Sequence, residues 1–345
     1  MTNYQSLFTT THSKDSFLRP LGAGIAMAIP LLLAILLGDS QIASLGVMGA
    51  FAYLAFQYKS ICYNVKAICL HGIVLFASLS LGLSSGLMPW TIPLVISVIS
   101  FSGYLLTKIY RIPKPDIFFV IMLYATGTNF PPTPEIFQTS GYLLFGVVGS
   151  LLSGVLISFI EKLPFTQEPS DYGRLSFRDK YYLTIYQEPT VLIKAMHFAM
   201  ILFISAYLSY LLQAQSGYWI LISSAAVLAG EQLDKIRERF IQRVLGSVIG
   251  LLLGSLLIGF QLPLIVNFGL LIILNILVEY FMPRNYGIAN FFTNPQVLLL
   301  SSIAAGSPAL GMVPYRFSGV LIGSALALIL MSIVDYGMSL VKEKF

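Results

Sequence analysis

Charge is the scarcest property of this sequence. Only 10% of its 345 residues are Asp, Glu, Lys or Arg, whereas a soluble domain carries about a quarter, so an ordinary water-exposed globule is excluded. Cysteine is almost absent too. Cys62 and Cys69 are the two present, and their spacing suits small buried side chains in a reducing setting better than a disulfide framework or a metal site. The chain lacks G-x-x-x-x-G-K-[ST], H-E-x-x-H, C-x-x-C and G-x-S-x-G, which removes phosphate-loop ATP hydrolysis, zincin, dithiol and serine-hydrolase chemistry by those routes. No enzyme, cofactor or metal is expected. The formal net charge is +5, but the basic residues are scattered over short loops and form no patch, so no nucleic-acid partner is expected either. Residues 1–16 are polar and the first apolar run is long, which is not the pattern of a cleaved signal peptide.

Apolar residue is abundant: 57% of the chain, with a mean hydropathy of +0.82. Runs of roughly 15–22 apolar residues recur from Leu18 to Val334 and read as bilayer spans. The expectation is an all-α integral membrane protein with twelve transmembrane helices, at about 18–37, 41–57, 65–85, 91–109, 116–129, 140–160, 191–213, 218–231, 241–260, 263–281, 287–305 and 315–334. With the N-terminus inside, Arg316 alone of the twenty Lys and Arg residues falls outside. The positive-inside rule therefore favours cytoplasmic N- and C-termini in a cell membrane, plasma or inner.

The longest polar stretch, Glu161 to Pro189, divides the chain into halves. The expected organisation is a cytoplasmic segment 1–17, a six-helix repeat 18–160, a linker 161–190 with an interfacial helix around Leu175 to Tyr186, a second six-helix repeat 191–335, and a cytoplasmic tail 336–345. The halves align without gaps at an offset of 174 residues: Leu18 meets Leu192, Gln41 Gln215, Gly72 Gly246, Pro89 Pro263, Phe118 Phe292, Pro134 Pro308 and Gly149 Gly323. An even number of spans makes these parallel repeats. A fainter symmetry at an offset of 73 pairs Arg243-Val-Leu-Gly246-Ser-Val-Ile-Gly250 with Arg316-Phe-Ser-Gly319-Val-Leu-Ile-Gly323, which suggests two inverted three-helix units within each half.

The stretch from Gly217 to Gly259 concentrates the candidate chemistry. It begins at Tyr218-Trp219, turns through Glu231, Asp234, Lys235, Arg237, Glu238, Arg239 and Arg243, and returns along Gly246, Gly250 and Gly254. Arg239, Arg243 and the three glycines share one helix face. Gly319 and Gly323 repeat the packing motif. The second and fifth spans of each half are short, and Asn294-Pro295 is expected to break the last of these, which points to a pathway between spans 2, 3 and 5. Arg316 either reads an anion from within the membrane or snorkels to the headgroups. Arg239 and Arg243 are cationic substrate candidates, with pairing to Glu231 or Asp234 as the alternative. Asp116 and Glu279 are proton-coupling candidates, with pairing to Arg111 and Arg284 as the alternative. Tyr218, Trp219, Phe291 and Phe292 suit interface belts or stacking on an aromatic ligand.

The GYW start, the charged hairpin and RERFIQRVLGSVIGLLLG resemble the fusaric acid resistance protein-like superfamily, best over about Met200 to Val334. That group includes bacterial aromatic acid exporters and is distantly related to plant aluminium-activated malate channels. The resemblance implies a transporter of organic anions, often aromatic carboxylates, and is compatible with a homodimer; Tyr218, Trp219, Arg239, Arg243, Gly246 and Gly250 occupy the motif positions. The first half departs from the motif, with Val65, Cys69 and Phe76 where the second has Arg239, Arg243 and Gly250. The large cytoplasmic domain of many bacterial exporters is here reduced to the linker. The expected function is therefore secondary export of small organic, aromatic carboxylates across a lipid bilayer. Its rivals are a passive organic-anion channel and a non-transporting scaffold or accessory subunit.

Overall fold

A computed structural model describes residues 16–131, 133–168, 170–212 and 217–342, the last five of these by backbone alone. Expectations for 1–15, Gln215 and 343–345 lie outside the described residues. Within them there is no strand, and each of the twelve apolar segments is helical: α1 Leu18–Leu37, α2 Ser40–Ala55, α3 Ile61–Leu87, α4 Pro89–Ile109, α5 Phe118–Gly127, α6 Ile136–Ile160, α7 Thr190–Leu211, α8 Tyr218–Leu228, α9 Leu233–Gly259, α10 Leu264–Phe281, α11 Tyr286–Ala305 and α12 Val313–Lys342.

Eight of these, rather than twelve, are long and apolar enough to cross a membrane: α1, α3, α4, α6, α7, α9, α10 and α12. The other four fall short for two physical reasons. Helices α2, α5 and α8 are too brief; the 11 residues of α8 rise only about 16 Å against a hydrocarbon core of about 30 Å. Helix α11 has 20 residues but spends four of them on Asn290, Thr293, Asn294 and Gln296. Large apolar side chains such as Leu36, Ile73, Val98, Leu252 and Ile329 are exposed, as an integral membrane protein requires of its lipid-facing surface.

The expected break at Asn294-Pro295 does not occur. Helix α11 runs through Pro295, and Asn294 Nδ2 bonds the Asn290 carbonyl at 2.9 Å. Pro295 removes one backbone donor, and the helix tolerates the loss within a well-packed setting.

The residues fall into two compact units that do not coincide with the sequence halves. Unit 1 is Met1–Ser80, Pro134–Gln167 and Ile241–Ser318; unit 2 is Leu81–Thr133, Glu168–Phe240 and Gly319–Phe345. The divisions after Ser80, Phe240 and Ser318 fall inside α3, α9 and α12.

Unit 1 is built by close helix approach over small residues, the usual means of association where lipid removes the hydrophobic drive between helices. A side chain at Gly149 on α6 would lie 2.6 Å from the Ala26 carbonyl of α1. Nearby, Ser153 Oγ donates to the Gly22 carbonyl at 2.6 Å and Ser150 Oγ to the Ala50 carbonyl at 3.0 Å. The glycine stripe of α9 does the same against α11. A Cβ at Gly246 would sit 2.7 Å from Asn290 Cβ, one at Gly250 2.6 Å from the Asn290 carbonyl, and one at Gly254 2.8 Å from Leu298 Cδ1. The two helices run parallel in register.

Unit 2 repeats the device with α8 and α12. A Cβ at Gly319 would lie 2.7 Å from Trp219 Cβ, and one at Gly323 2.9 Å from the Ile220 carbonyl carbon. Ser205 Oγ donates to Ser224 Oγ at 2.9 Å, and Ser224 Oγ to the Gly323 carbonyl at 2.8 Å. The apolar core contains Ile96, Ile121, Leu202, Leu221 and Ala225. The expected linker helix is present but divided, as Phe177–Tyr181 continuing into a wider turn over Tyr182–Tyr186, with a separate turn at Asp171–Arg174. Tyr172 ties it down: its hydroxyl donates to the Ile109 carbonyl at 2.7 Å and its ring lies 3.8 Å beneath Arg111.

The register of α9 on α11 gives the first prediction. Gly250→Val should cost about 1–3 kcal/mol by overpacking and lower the unfolding temperature in detergent. Gly269→Ala, where nothing lies within 4 Å, should leave that temperature unchanged.

Candidate functional site

Unit 1 holds a polar column inside apolar packing. Asn290 and Asn294 are one helical turn apart on α11 and therefore share a face. That face can be polar because α9 presents glycine opposite it, at Gly246 and Gly250, and leaves room for the two amides. Asn290 Nδ2 donates to the Tyr286 carbonyl at 2.7 Å, and Asn294 Nδ2 reaches Ser247 Oγ on α9 at 3.4 Å. Each end of the column carries a guanidinium. Arg243 Nη1 donates to the Tyr286 hydroxyl at 2.8 Å, and Arg316 Nε to Asn294 Oδ1 at 3.1 Å.

Both arginines are buried, Arg243 at 8% and Arg316 at 4% exposure. The Arg316 side chain turns into unit 1. Burying a guanidinium costs several kcal/mol unless hydrogen bonds or opposite charge offset it. The two bonds just described orient each guanidinium along the column. Tyr286 and Asn294 are eight residues apart, so the column extends about 12 Å along α11. A second polar contact fixes α11 from behind: Gln296 Nε2 donates to Asn275 Oδ1 at 3.1 Å, and Asn275 Nδ2 to the Ala23 carbonyl at 3.0 Å.

Unit 2 holds an ion cluster where the α4–α5 turn meets the α8–α9 turn. Lys108 Nζ lies 2.9 Å from each Glu231 carboxylate oxygen, Lys114 Nζ lies 3.1 Å from Oε1, and Lys114 also donates to the Ala229 carbonyl. Glu231 and Asp116 line one small pocket of about 10 Å³ with Tyr104 and Phe198. Both carboxylates sit on left-handed backbone, at φ 64° and 38°. A non-glycine residue rarely adopts that conformation unless its surroundings hold it there.

The two carboxyls respond to this environment in opposite directions. Burial pushes Glu231 up, but Lys108 and Lys114 outweigh it and hold the carboxyl below its ordinary range. Burial also pushes Asp116 up, and the Ile117 amide and Lys114 recover only part of that.

Other charged side chains are placed as follows. Glu231 takes Lys108 and Lys114, and Arg239 Nη1 donates to the Ala226 carbonyl at 3.1 Å. Asp116 neighbours Lys114 and Glu231, and Arg111 lies over the Tyr172 ring. Glu279 bonds Arg19 at 3.4 Å, and the Arg284 guanidinium lies 3.9 Å over the Tyr280 ring. Of the residues singled out from sequence, Arg243, Asn294, Arg316, Phe291, Phe292 and Glu279 lie in unit 1; Arg239, Tyr218, Trp219 and Asp116 lie in unit 2. Phe292 stacks on Phe281 at 5.6 Å, and the Tyr218 ring lies tilted against Trp219 at 4.7 Å. Sequence reasoning missed Tyr286, Asn290, Lys108 and Lys114. Asn290 had a visible signal, since it lies one turn before Asn294 and aligns with Asp116 at the offset of 174.

An all-helical chain with long apolar helices, polar at buried points within them, is an integral membrane protein. Residues 203–330 match the family described as fusaric acid resistance protein-like, so that segment carries the resemblance read from its motifs. Over 134 residues the chain is 29% identical to an uncharacterized protein of Haemophilus influenzae, covering 39% of this chain and 18% of that protein. Over 140 residues it is 29% identical to the uncharacterized membrane protein YvaC of Bacillus subtilis, covering 40% and 22%. The matched region is thus about a fifth of each relative's length. No solved structure matches the chain.

The opposite shifts of the two carboxyls predict opposite pH behaviour. A carboxyl held low contributes stability that is complete at neutral pH and is lost as pH falls through its lowered range. Glu231→Gln should therefore cost about 1 kcal/mol at neutral pH, and the deficit should close on acidification. A carboxyl held high costs stability while ionised. Asp116→Asn, which left-handed backbone tolerates, should raise the unfolding temperature at neutral pH, and the gain should fade toward about pH 4. Thermal unfolding across pH measures both.

Proposed function

We propose that the chain is a membrane transporter exporting small organic carboxylates, aromatic ones foremost, with Arg243 and Arg316 as the groups that read the carboxylate. The observation that carries this is the burial of two guanidiniums, each hydrogen-bonded to a side chain of the α11 column. An ionisable group in such a place is costly to keep and is a functional residue by default. A guanidinium is also the side chain whose paired N–H donors match a carboxylate. Asp116, whose carboxyl is pushed up, is the better placed of the two coupling carboxylates, since Glu279 is engaged by Arg19.

On this reading α2, α5, α8 and α11 complete twelve crossings, as two parallel six-helix repeats with both termini cytoplasmic in the cell membrane. The division into units supports the repeat. An offset of 174 residues carries α1, α2 and α6 of unit 1 onto α7, α8 and most of α12 of unit 2, and α4 and α5 of unit 2 onto α10 and α11 of unit 1. The four helices outside the eight long apolar ones are the second and fifth of each repeat, the places where transporters of repeated build put their sites.

Benzoate counterflow in proteoliposomes tests the proposal. Wild type should give saturable flux, and Arg243→Gln and Arg316→Gln should each lose about 10–100-fold, the worth of a charge-assisted hydrogen bond. Large ohmic benzoate currents without saturation would replace the carrier by a channel. Absence of flux from monodisperse, folded wild type would leave a scaffold.

A further inference from the structure

A cavity of about 350 Å³ opens in unit 2, at the end of α4, α5, α7 and α8 opposite the ion cluster. It is lined by Ile92 at the start of α4, Asn129 just beyond α5, Ser209 and Tyr210 in the last turns of α7, and Tyr218 and Leu221 at the start of α8. Its volume decides what it can hold. A cavity of about 150 Å³ is enough for benzene, and small-molecule sites begin near 300 Å³. This one admits a substituted ring.

The chemistry of the walls is equally selective. Among the described residues, no charged side chain lines the cavity, so an anion entering it would shed water and gain no counter-charge from them. Two tyrosines supply ring faces and edges, which attract an aromatic ligand beyond the area they cover. Tyr218 is held in place: its ring lies tilted against that of Trp219 at 4.7 Å, and the Trp219 Cβ is packed against Gly319. Ile92 and Leu221 supply the apolar contact. Among the described residues, no intramolecular hydrogen bond uses the side chains of Asn129, Ser209 or Tyr210, so three polar groups at the rim are available to one ligand substituent.

From this we infer that the cavity is a binding site for an uncharged, single-ring aromatic molecule bearing one hydrogen-bonding group, of the benzyl alcohol or phenol class. It is distinct in chemistry from the guanidinium column of unit 1, because it rejects the charge that the column attracts. The ring lies against Tyr218 and Leu221, and its polar substituent bonds Asn129 or Ser209.

The chain contains its own reporters. Its two tryptophans are Trp90, next to Pro89 on the cavity wall, and Trp219, against Tyr218. Quenching of their fluorescence by 4-nitrobenzyl alcohol, with the full chain in lipid nanodiscs, reads occupancy. Wild type should show saturable quenching. Ser209→Leu, which fills the cavity, should weaken it by 10-fold or more, and Asn129→Ala, at an exposed site that perturbs no packing, by 3-fold or more. The charged analogue 4-nitrobenzoate should bind at least 10-fold more weakly than the alcohol. Linear quenching that neither variant alters would show simple partition into lipid and overturn the site. Equal or tighter binding of the benzoate would overturn its selectivity. Neither outcome bears on benzoate counterflow through the arginines, so the two proposals fail separately.

Discussion

The approach of α9 to α11 over Gly246, Gly250 and Gly254 is the constraint on which unit 1 depends. Membrane helices gain little by burying leucine against leucine, because lipid offers the same contact. They gain by bringing backbones close and by satisfying polar groups that lipid cannot satisfy. The glycine stripe does both. It removes three side chains from α9, and into the space go Asn290 and Asn294, whose amides would otherwise face hydrocarbon. The amides in turn give Arg316 a bond deep in the unit, while Ser247 and Tyr286 complete the column to Arg243. A bulkier residue at Gly250 would displace the amides as well as the helix, so packing and site chemistry are one arrangement here.

Unit 2 shows the same economy with different contents. Small residues on α12 and α8 draw those helices together, and the aromatic start of α8 is thereby fixed beside a cavity. At the opposite end, four charged groups from two turns meet on strained backbone. Glu231, itself on left-handed backbone, holds Lys108 at the end of α4 and Lys114 from the α4–α5 turn. Burial of Asp116, with a smaller contribution from the nearby Glu231 carboxylate, explains why its proton is retained more strongly than an ordinary aspartate's.

Much of this was legible in the sequence. Helix positions follow from apolar runs, and their ends from turn residues such as Asp39, which caps α2, and Gly38 and Gly306, both on left-handed backbone. The close-packing role of the glycines at 246, 250 and 254 follows from their spacing. What the sequence hid were the partners. Charge pairs between remote segments, such as Arg19 with Glu279 and Lys108 with Glu231, leave no trace in local spacing. The continuity of α11 through Pro295 was hidden for a related reason: local propensity argues for a break, and tertiary packing over the glycine face overrides it. The mixed composition of the two units, each drawing on both halves, depends on contacts that periodicity does not encode.

The central claim is that the buried guanidiniums of unit 1 meet a carboxylate directly. Magic-angle-spinning NMR on reconstituted protein with ¹⁵N-labelled arginine and carboxyl-¹³C benzoate measures that contact as a dipolar coupling between guanidinium nitrogen and carboxylate carbon. Direct contact gives a coupling that corresponds to about 4 Å or less, present in wild type and lost from the spectrum of Arg316→Gln or Arg243→Gln. Bound benzoate showing no coupling to any arginine would contradict it.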